Sequence, residues 1–206
     1  MKKIFCYLVI LLIIPILGFS QKPDSSINKW DIEASLLFYI VPYDFFVLPI
    51  IKADKNKLHL ESRYNYEDRK TVSFFAGYNF SGGNKIEYTI TPMLGAVLGN
   101  SDGIAPGLEM DFTLGKFELY SEMEYLFEFN EKSNSYYYNW TELTFAPKDW
   151  LWGGITVQRT RLYQTSLEIQ RGILAGLSWK NASVTGYLFN PFTEDRFGIL
   201  SLAISF

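Results

Sequence analysis

The sequence predicts an all-β fold: an antiparallel, up-and-down transmembrane β-barrel of about twelve strands, with ten as the alternative count. Three observations carry that expectation. Side-chain character changes at every second residue through most of the chain, turn-forming residues recur at short and even intervals from Trp30 onward, and almost nothing reads as a long helix. Residues 116–129, KFELYSEMEYLFEF, show the alternation most clearly. Successive side chains of a strand go to opposite faces. One wall of this segment is therefore Phe117, Leu119, Ser121, Met123, Tyr125, Phe127 and Phe129, and the other is dominated by Glu118, Glu122, Glu124 and Glu128. Few apolar residues fall at the i, i+3, i+4, i+7 positions that an amphipathic helix needs.

The expected strands, in order, are 30–39, 45–53, 57–67, 70–81, 84–98, 104–114, 116–129, 135–146, 150–161, 168–179, 182–189 and 196–206. The first two are apolar runs separated by Val41-Pro42-Tyr43-Asp44. Pro42 and Pro49 weaken the second, because proline cannot donate to a ladder; a bulged strand is preferred over an apolar segment folded across the lumen. In 57–67, Leu58, Leu60, Tyr64 and Tyr66 alternate with His59, Glu61, Arg63, Asn65 and Glu67. In 70–81, Val72, Phe74, Ala76, Tyr78 and Phe80 oppose Thr71, Ser73 and Asn79, and Ser81-Gly82-Gly83-Asn84 then supplies a turn. Ile86, Tyr88 and Ile90 oppose Lys85, Glu87, Thr89 and Thr91 in 84–98. After Asn100-Ser101-Asp102-Gly103, Leu108, Met110, Phe112 and Leu114 oppose Glu109, Asp111 and Thr113. Gly115, Ala146-Pro147-Lys148-Asp149 and Lys180-Asn181 are turn signals between the later strands.

At the N-terminus, Lys2 and Lys3 precede an apolar run interrupted by Pro15, and Gly18-Phe19-Ser20 puts small residues before Gln21. That is the pattern of a secretory signal peptide, and the run is short of the ~20 apolar residues of a spanning helix. The expected organisation is a cleaved leader at 1–20, a short periplasmic segment at 21–29 and one barrel domain at 30–206. Cys6 lies within the leader, so the mature chain has no cysteine. Removing the leader takes Lys+Arg from 19 to 17 against 22 Asp+Glu, a net charge of −5. That balance argues against nucleic acid, which calls for a basic stripe.

A soluble antiparallel sandwich also alternates apolar and polar residues, so the membrane assignment rests on more than periodicity. Aromatics make up 17% of the chain. Tyr136, Tyr137, Trp140, Trp150, Trp152, Trp179 and Tyr187 fall near strand ends, where membrane barrels carry aromatic girdles. Several strands reach the ~9–11 residues that cross a bilayer at a tilt. The last strand ends on an aromatic residue, with Leu200, Leu202, Ile204 and Phe206 on one wall. This resembles the C-terminal signature of Gram-negative outer-membrane β-barrel proteins of porin-like architecture, without pointing to a particular functional family. The Ser20-Gln21 junction looks like those common in Bacteroidota. The resemblance implies outer-membrane location, contact with lipid and lipopolysaccharide, and recognition of Leu202, Ile204 and Phe206 by the barrel assembly machinery. It also implies that both chain ends lie in the periplasm, with the tight turns on that side. A monomer is expected.

With the apolar wall toward lipid, the polar wall lines the lumen. The lumen-lining candidates are Glu61, Arg63, Glu87, Glu109, Asp111, Glu118, Glu122, Glu124, Glu142, Arg159 and Arg161. Arg159 and Arg161 share parity with Ile155 and Val157, so a bulge is needed to turn them inward. Eight strands are filled by side chains and sixteen leave a channel; about twelve could hold a narrow, cation-leaning passage. The alternative is a barrel plugged by its own charge pairs and serving as a structural envelope protein. A third reading is an outer-membrane hydrolase using His59, the chain's one histidine, with Ser62 or Ser73 as the nearest hydroxyls. No catalytic residue, cofactor or metal site is assigned: one histidine and no mature cysteine leave little for a transition metal.

Overall fold

A computed structural model describes residues 29–162 and 168–206; the expected leader and residues 21–28 lie outside the described residues. The strands are β1 (Asp31–Val41), β2 (Asp44–Lys55), β3 (Leu58–Tyr64), β4 (Thr71–Tyr78), β5 (Phe80–Gly82), β6 (Glu87–Gly99), β7 (Gly103–Leu114), β8 (Phe117–Glu128), β9 (Tyr136–Lys148), β10 (Leu151–Arg159), β11 (Gln170–Trp179), β12 (Ala182–Phe189) and β13 (Phe197–Ser205). β4 and β5 both pair with β6 and form one stave interrupted at Asn79. The result is a twelve-stave barrel. Each stave pairs antiparallel with the next in sequence, β13 pairs with β1, and the β4–β6 pairing completes the circle.

Turn chemistry sets the two ends. Asn56 (φ 57), Gly115 (φ 60) and Lys180 (φ 56) occupy the left-handed region in two-residue hairpins at one end. The opposite end carries the longer connections at 65–70, 129–135 and 190–196, besides the tight Pro42-Tyr43 turn. Proline at the first central position and φ 67 at Tyr43 meet the requirements of a type II turn. The segment left open by the two prolines is thus a strand: β2 runs in unbroken register with β1 from Asp31↔Asp54 to Val41↔Asp44. Pro49 lies just beyond the last β2–β3 pair, Ile50↔Arg63, so its missing N–H breaks no ladder bond on that side.

The outward walls are apolar around the whole barrel; Ile51, Phe74, Leu94, Leu114, Ile155, Ile173 and Leu200 are exposed. The core lies inside the barrel, in the half nearer the long loops: Tyr39, Phe46, Leu48, Phe75, Val97, Leu126, Tyr138, Phe189 and Phe197 are buried there. This corrects part of the girdle expectation. Tyr137, Trp150 and Trp179 are exposed, but Tyr136 and Trp140 are buried within the lumen because they share the parity of Tyr138 and Glu142. Tyr187 packs against the same core, and the Trp152 ring lies over Gly176.

Gly95 illustrates how tightly the interior is fitted. A Cβ there would overlap the Phe75 ring across the β4–β6 pair. Gly95→Ala is therefore expected to lower barrel stability by about 1–3 kcal/mol. Urea-induced unfolding of the detergent-folded protein measures it, and an unchanged midpoint would show that the ring can shift without loss.

Candidate functional site in the barrel lumen

The period of two on β3 sends His59, Glu61 and Arg63 to the interior and Leu58, Leu60, Ser62 and Tyr64 outward. Arg63 is 1% exposed. Its Nη2 donates to Glu61 Oε2 at 2.8 Å, and its Nη1 lies 3.0 Å from Glu124 Oε2 and 2.7 Å from Glu122 Oε1. Glu67 Oε1 stands 3.8 Å away. The guanidinium plane is held between the rings of Tyr66 and Phe75, each centroid 4.3 Å from Cζ. A planar fork that pairs with several carboxylates and stacks on two rings is what distinguishes arginine from lysine.

Tyrosine hydroxyls extend the network. Tyr138 donates to Tyr66 at 2.6 Å, and Tyr66 donates to Glu122 Oε2 at 2.9 Å. Tyr120 donates to Glu109 Oε1 at 3.0 Å, while Lys52 Nζ lies 2.5 Å from the same oxygen. The loop residue Glu67 accepts from Ser73 Oγ at 2.6 Å, and its backbone carbonyl accepts from Tyr136. Burial pushes the Glu67 carboxyl up, against the pull of Arg63. Glu61, Glu67, Glu109, Glu122 and Glu124 thus share Arg63 and Lys52, with His59 Nε2 3.8 Å from Glu61 Oε2, so carboxyl groups outnumber basic groups in this buried cluster.

Between this buried cluster and the tight-turn end the lumen holds two cavities. A cavity of about 390 Å³ is lined by Lys116, Glu118, Glu142, Asp149, Trp152 and Tyr187 among others. A second, of about 340 Å³, shares Glu118, Glu142 and Tyr187 and reaches Glu33, Lys52, Tyr120 and Glu122 at the foot of the plug. The two form an acidic vestibule. Beyond it lie the buried rings of Trp140, Phe189 and Phe197, and Gln158 Nε2 donates to Gln170 Oε1 at 2.8 Å in a buried hydrogen bond.

The structure distributes the sequence candidates unevenly. Glu61, Arg63, Glu109, Glu122 and Glu124 meet in the plug. Glu118 and Glu142 border the vestibule, Asp111 is half-buried with its Oδ1 accepting from Thr113 at 3.4 Å, and Glu87 is exposed near the tight-turn rim. Arg159 and Arg161 stand apart. The β9–β10 register is regular from Gly153 to Arg159, its irregularity falling between Leu151 and Gly153, so no bulge turns Arg159 inward. Arg159 stays on the wall of Ile155 and Val157 and donates to the Tyr137 carbonyl; Arg161 donates to the Asn134 carbonyl at 2.6 Å in the 129–135 loop. Leu202 and Phe206 are exposed on the outward wall that Ile204 shares, and Phe206 N donates to Ile32 O at 2.9 Å.

Sequence reasoning missed Lys52, Tyr66, Tyr120 and Tyr138. Parity alone could have found Lys52, two residues from the inward Ile50, Tyr120, which lies between Glu118 and Glu122 on their wall, and Tyr138, which shares the parity of Glu142. Tyr66 was expected on the outward wall and is instead buried, since β3 ends at Tyr64 and Asn65 adopts φ 59. Asn65 holds that turn by donating from Nδ2 to Val47 O at 3.0 Å and accepting the Lys70 N–H at 2.7 Å. The serine–histidine pairing of a hydrolase is not formed: His59 Nδ1 lies 2.9 Å from Asp54 Oδ1, Ser62 faces outward, and Ser73 donates to Glu67.

No family model matches the chain, and no curated protein matches it. Solved structures do. A structure titled "KdgM porin" is 14% identical, with a TM-score of 0.59, covering 85% of this chain and 99% of its own. Another, "KdgM porin in complex with disordered oligogalacturonate", is 12% identical with a TM-score of 0.58 and the same coverage. The chain therefore has a porin-like barrel fold.

Proposed function

We propose that this protein is an outer-membrane barrel providing a narrow, cation-leaning passage for small solutes or ions. The observation that carries the reading is the acidic vestibule leading to a lumen in which buried carboxylates outnumber their cations. The apolar exterior supports the membrane assignment, since an apolar surface of that extent is suited to lipid rather than water. The tight-turn end faces the periplasm, and the outward Leu202, Ile204 and Phe206 form the strand that the assembly machinery would read. An oligogalacturonate is a polyanion, which an acidic lumen repels; the solutes suited to this chain are cationic or neutral. The reading includes no catalytic step.

The Arg63 plug is the constriction. Its complete burial, together with that of Leu48 and Phe189, also favours a second reading, a closed barrel serving as an envelope scaffold. Planar-bilayer recordings separate the two. Discrete openings whose reversal potential in a salt gradient shows cation preference are expected, and persistent silence of demonstrably folded protein leaves the scaffold. In a conducting barrel, the double substitution Glu118→Gln and Glu142→Gln is expected to reduce that cation preference, because it removes two vestibule charges. An unchanged reversal potential would place the selective carboxylates elsewhere.

A further inference from the structure

We propose that His59, Glu61 and Glu109 form a binding site for a divalent first-row metal cation. The three side chains are buried, and one ligand atom from each lies within 4.8 Å of the others. The site stands whether or not the lumen conducts.

Two buried atoms in this cluster have no hydrogen-bond partner: His59 Nε2 and Glu61 Oε1. Leaving such groups unsatisfied is costly, and a cation ligated by both removes the cost. The histidine is also braced as metal-binding imidazoles are. Its Nδ1 lies 2.9 Å from Asp54 Oδ1, which directs the Nδ1 proton to the carboxylate and leaves the Nε2 lone pair for a metal. Asp54 Oδ1 accepts from Asn79 Nδ2 at 2.6 Å, and Asn79 Oδ1 accepts from Thr91 at 2.7 Å. Asn79 is the residue that interrupts the β4–β5 stave, and its backbone N–H donates to Lys57 O at 2.8 Å. The break in the stave thus positions the brace.

Lys52 neighbours the site without filling it. Its Nζ is 2.5 Å from Glu109 Oε1 and 3.9 Å from Glu61 Oε1, and it provides nothing for His59 Nε2. The competing arrangement is a second proton on His59, shared with Glu61 Oε2, now 3.8 Å from Nε2. One imidazole with two carboxylates suits Zn²⁺ better than Ca²⁺, which takes six to eight oxygens.

Zn²⁺ titration of the folded, tag-free barrel in detergent tests the site, with folding checked by heat-modifiable gel migration. Because the chain has one histidine, the imidazole ¹⁵N signals report on His59 alone. The expected result is one Zn²⁺ per barrel, a shift of the Nε2 signal on binding, and no displacement by Ca²⁺. His59→Gln should lose the site, and Asp54→Asn should weaken it about 10–100-fold. A proton on Nε2 that Zn²⁺ does not displace would overturn the proposal, as would equal uptake by a folded His59→Gln barrel. If that variant does not fold, the ¹⁵N response of the unaltered protein decides alone.

Discussion

Replacing Arg63 with methionine lowers the unfolding free energy of the barrel by about 3–5 kcal/mol, the cost of leaving buried charge without its partner. The reason is the number of groups that share this one cation. Glu61, Glu122 and Glu124 lie within 3.0 Å of its guanidinium nitrogens, and Glu67 within 3.8 Å. Methionine fills part of the volume between Tyr66 and Phe75 but leaves those carboxylates facing one another in a water-poor interior. Lysine rescues only part of the loss, because a point charge on a flexible stem cannot bond to carboxylates on β3 and β8 together while stacking on both rings. Replacing the surrounding carboxylates as well, in Arg63→Met with Glu61→Gln, Glu122→Gln and Glu124→Gln, should restore much of the stability. Urea midpoints of the detergent-folded barrels measure all three. A methionine variant as stable as the original would mean that the carboxylates accommodate the loss by taking up protons.

The double variant Trp140→Ala, Phe189→Ala is expected to pass markedly larger currents than the unaltered barrel, with cation preference retained. The two rings are consecutive members of an aromatic ladder around the inner wall. Trp140 meets Phe189 edge-on at 5.6 Å, Phe189 stacks on Phe197 at 5.0 Å, Phe197 on Tyr39 at 6.4 Å, and Tyr39 on Phe46 at 4.7 Å. Trp140 also lines the upper vestibule, so its removal extends that cavity toward the far end. Each truncation costs about 3–5 kcal/mol of packing, so folded protein must be shown before conductance is compared. Selectivity should persist because the carboxylates of Glu118, Glu122 and Glu142 all remain, although Glu142 loses the hydrogen bond that Trp140 Nε1 donates to it at 2.6 Å. Currents that do not change in a folded variant would place the barrier outside the ladder and favour the scaffold reading.

The strand pattern was legible in the chain because alternation is a local backbone property: a strand places residue i and residue i+2 on one wall wherever it sits. That rule identified the staves and the inward glutamates of β8, and Gly115 marked its hairpin through its own dihedral freedom. The same rule failed where the backbone left the strand. A single left-handed residue, Asn65, returned Tyr66 to the lumen. At Arg159 the rule held: with no bulge there, that arginine stayed on the wall of Ile155 and Val157. The aromatic residues divided for a related reason, since closeness to a strand end says nothing about which wall a ring occupies.

By itself, then, the sequence determined the barrel's staves and the two faces of most of them, since both follow from spacing along the chain. Only the tertiary structure decided which inward side chains meet. Closing the sheet brings Arg63 of β3 against Glu122 and Glu124 of β8, and Lys52 of β2 against Glu109 of β7. Those encounters depend on the curvature and stagger of the closed sheet, which no local pattern encodes. The division of the lumen between a buried charged cluster and an acidic vestibule is therefore a property of closure.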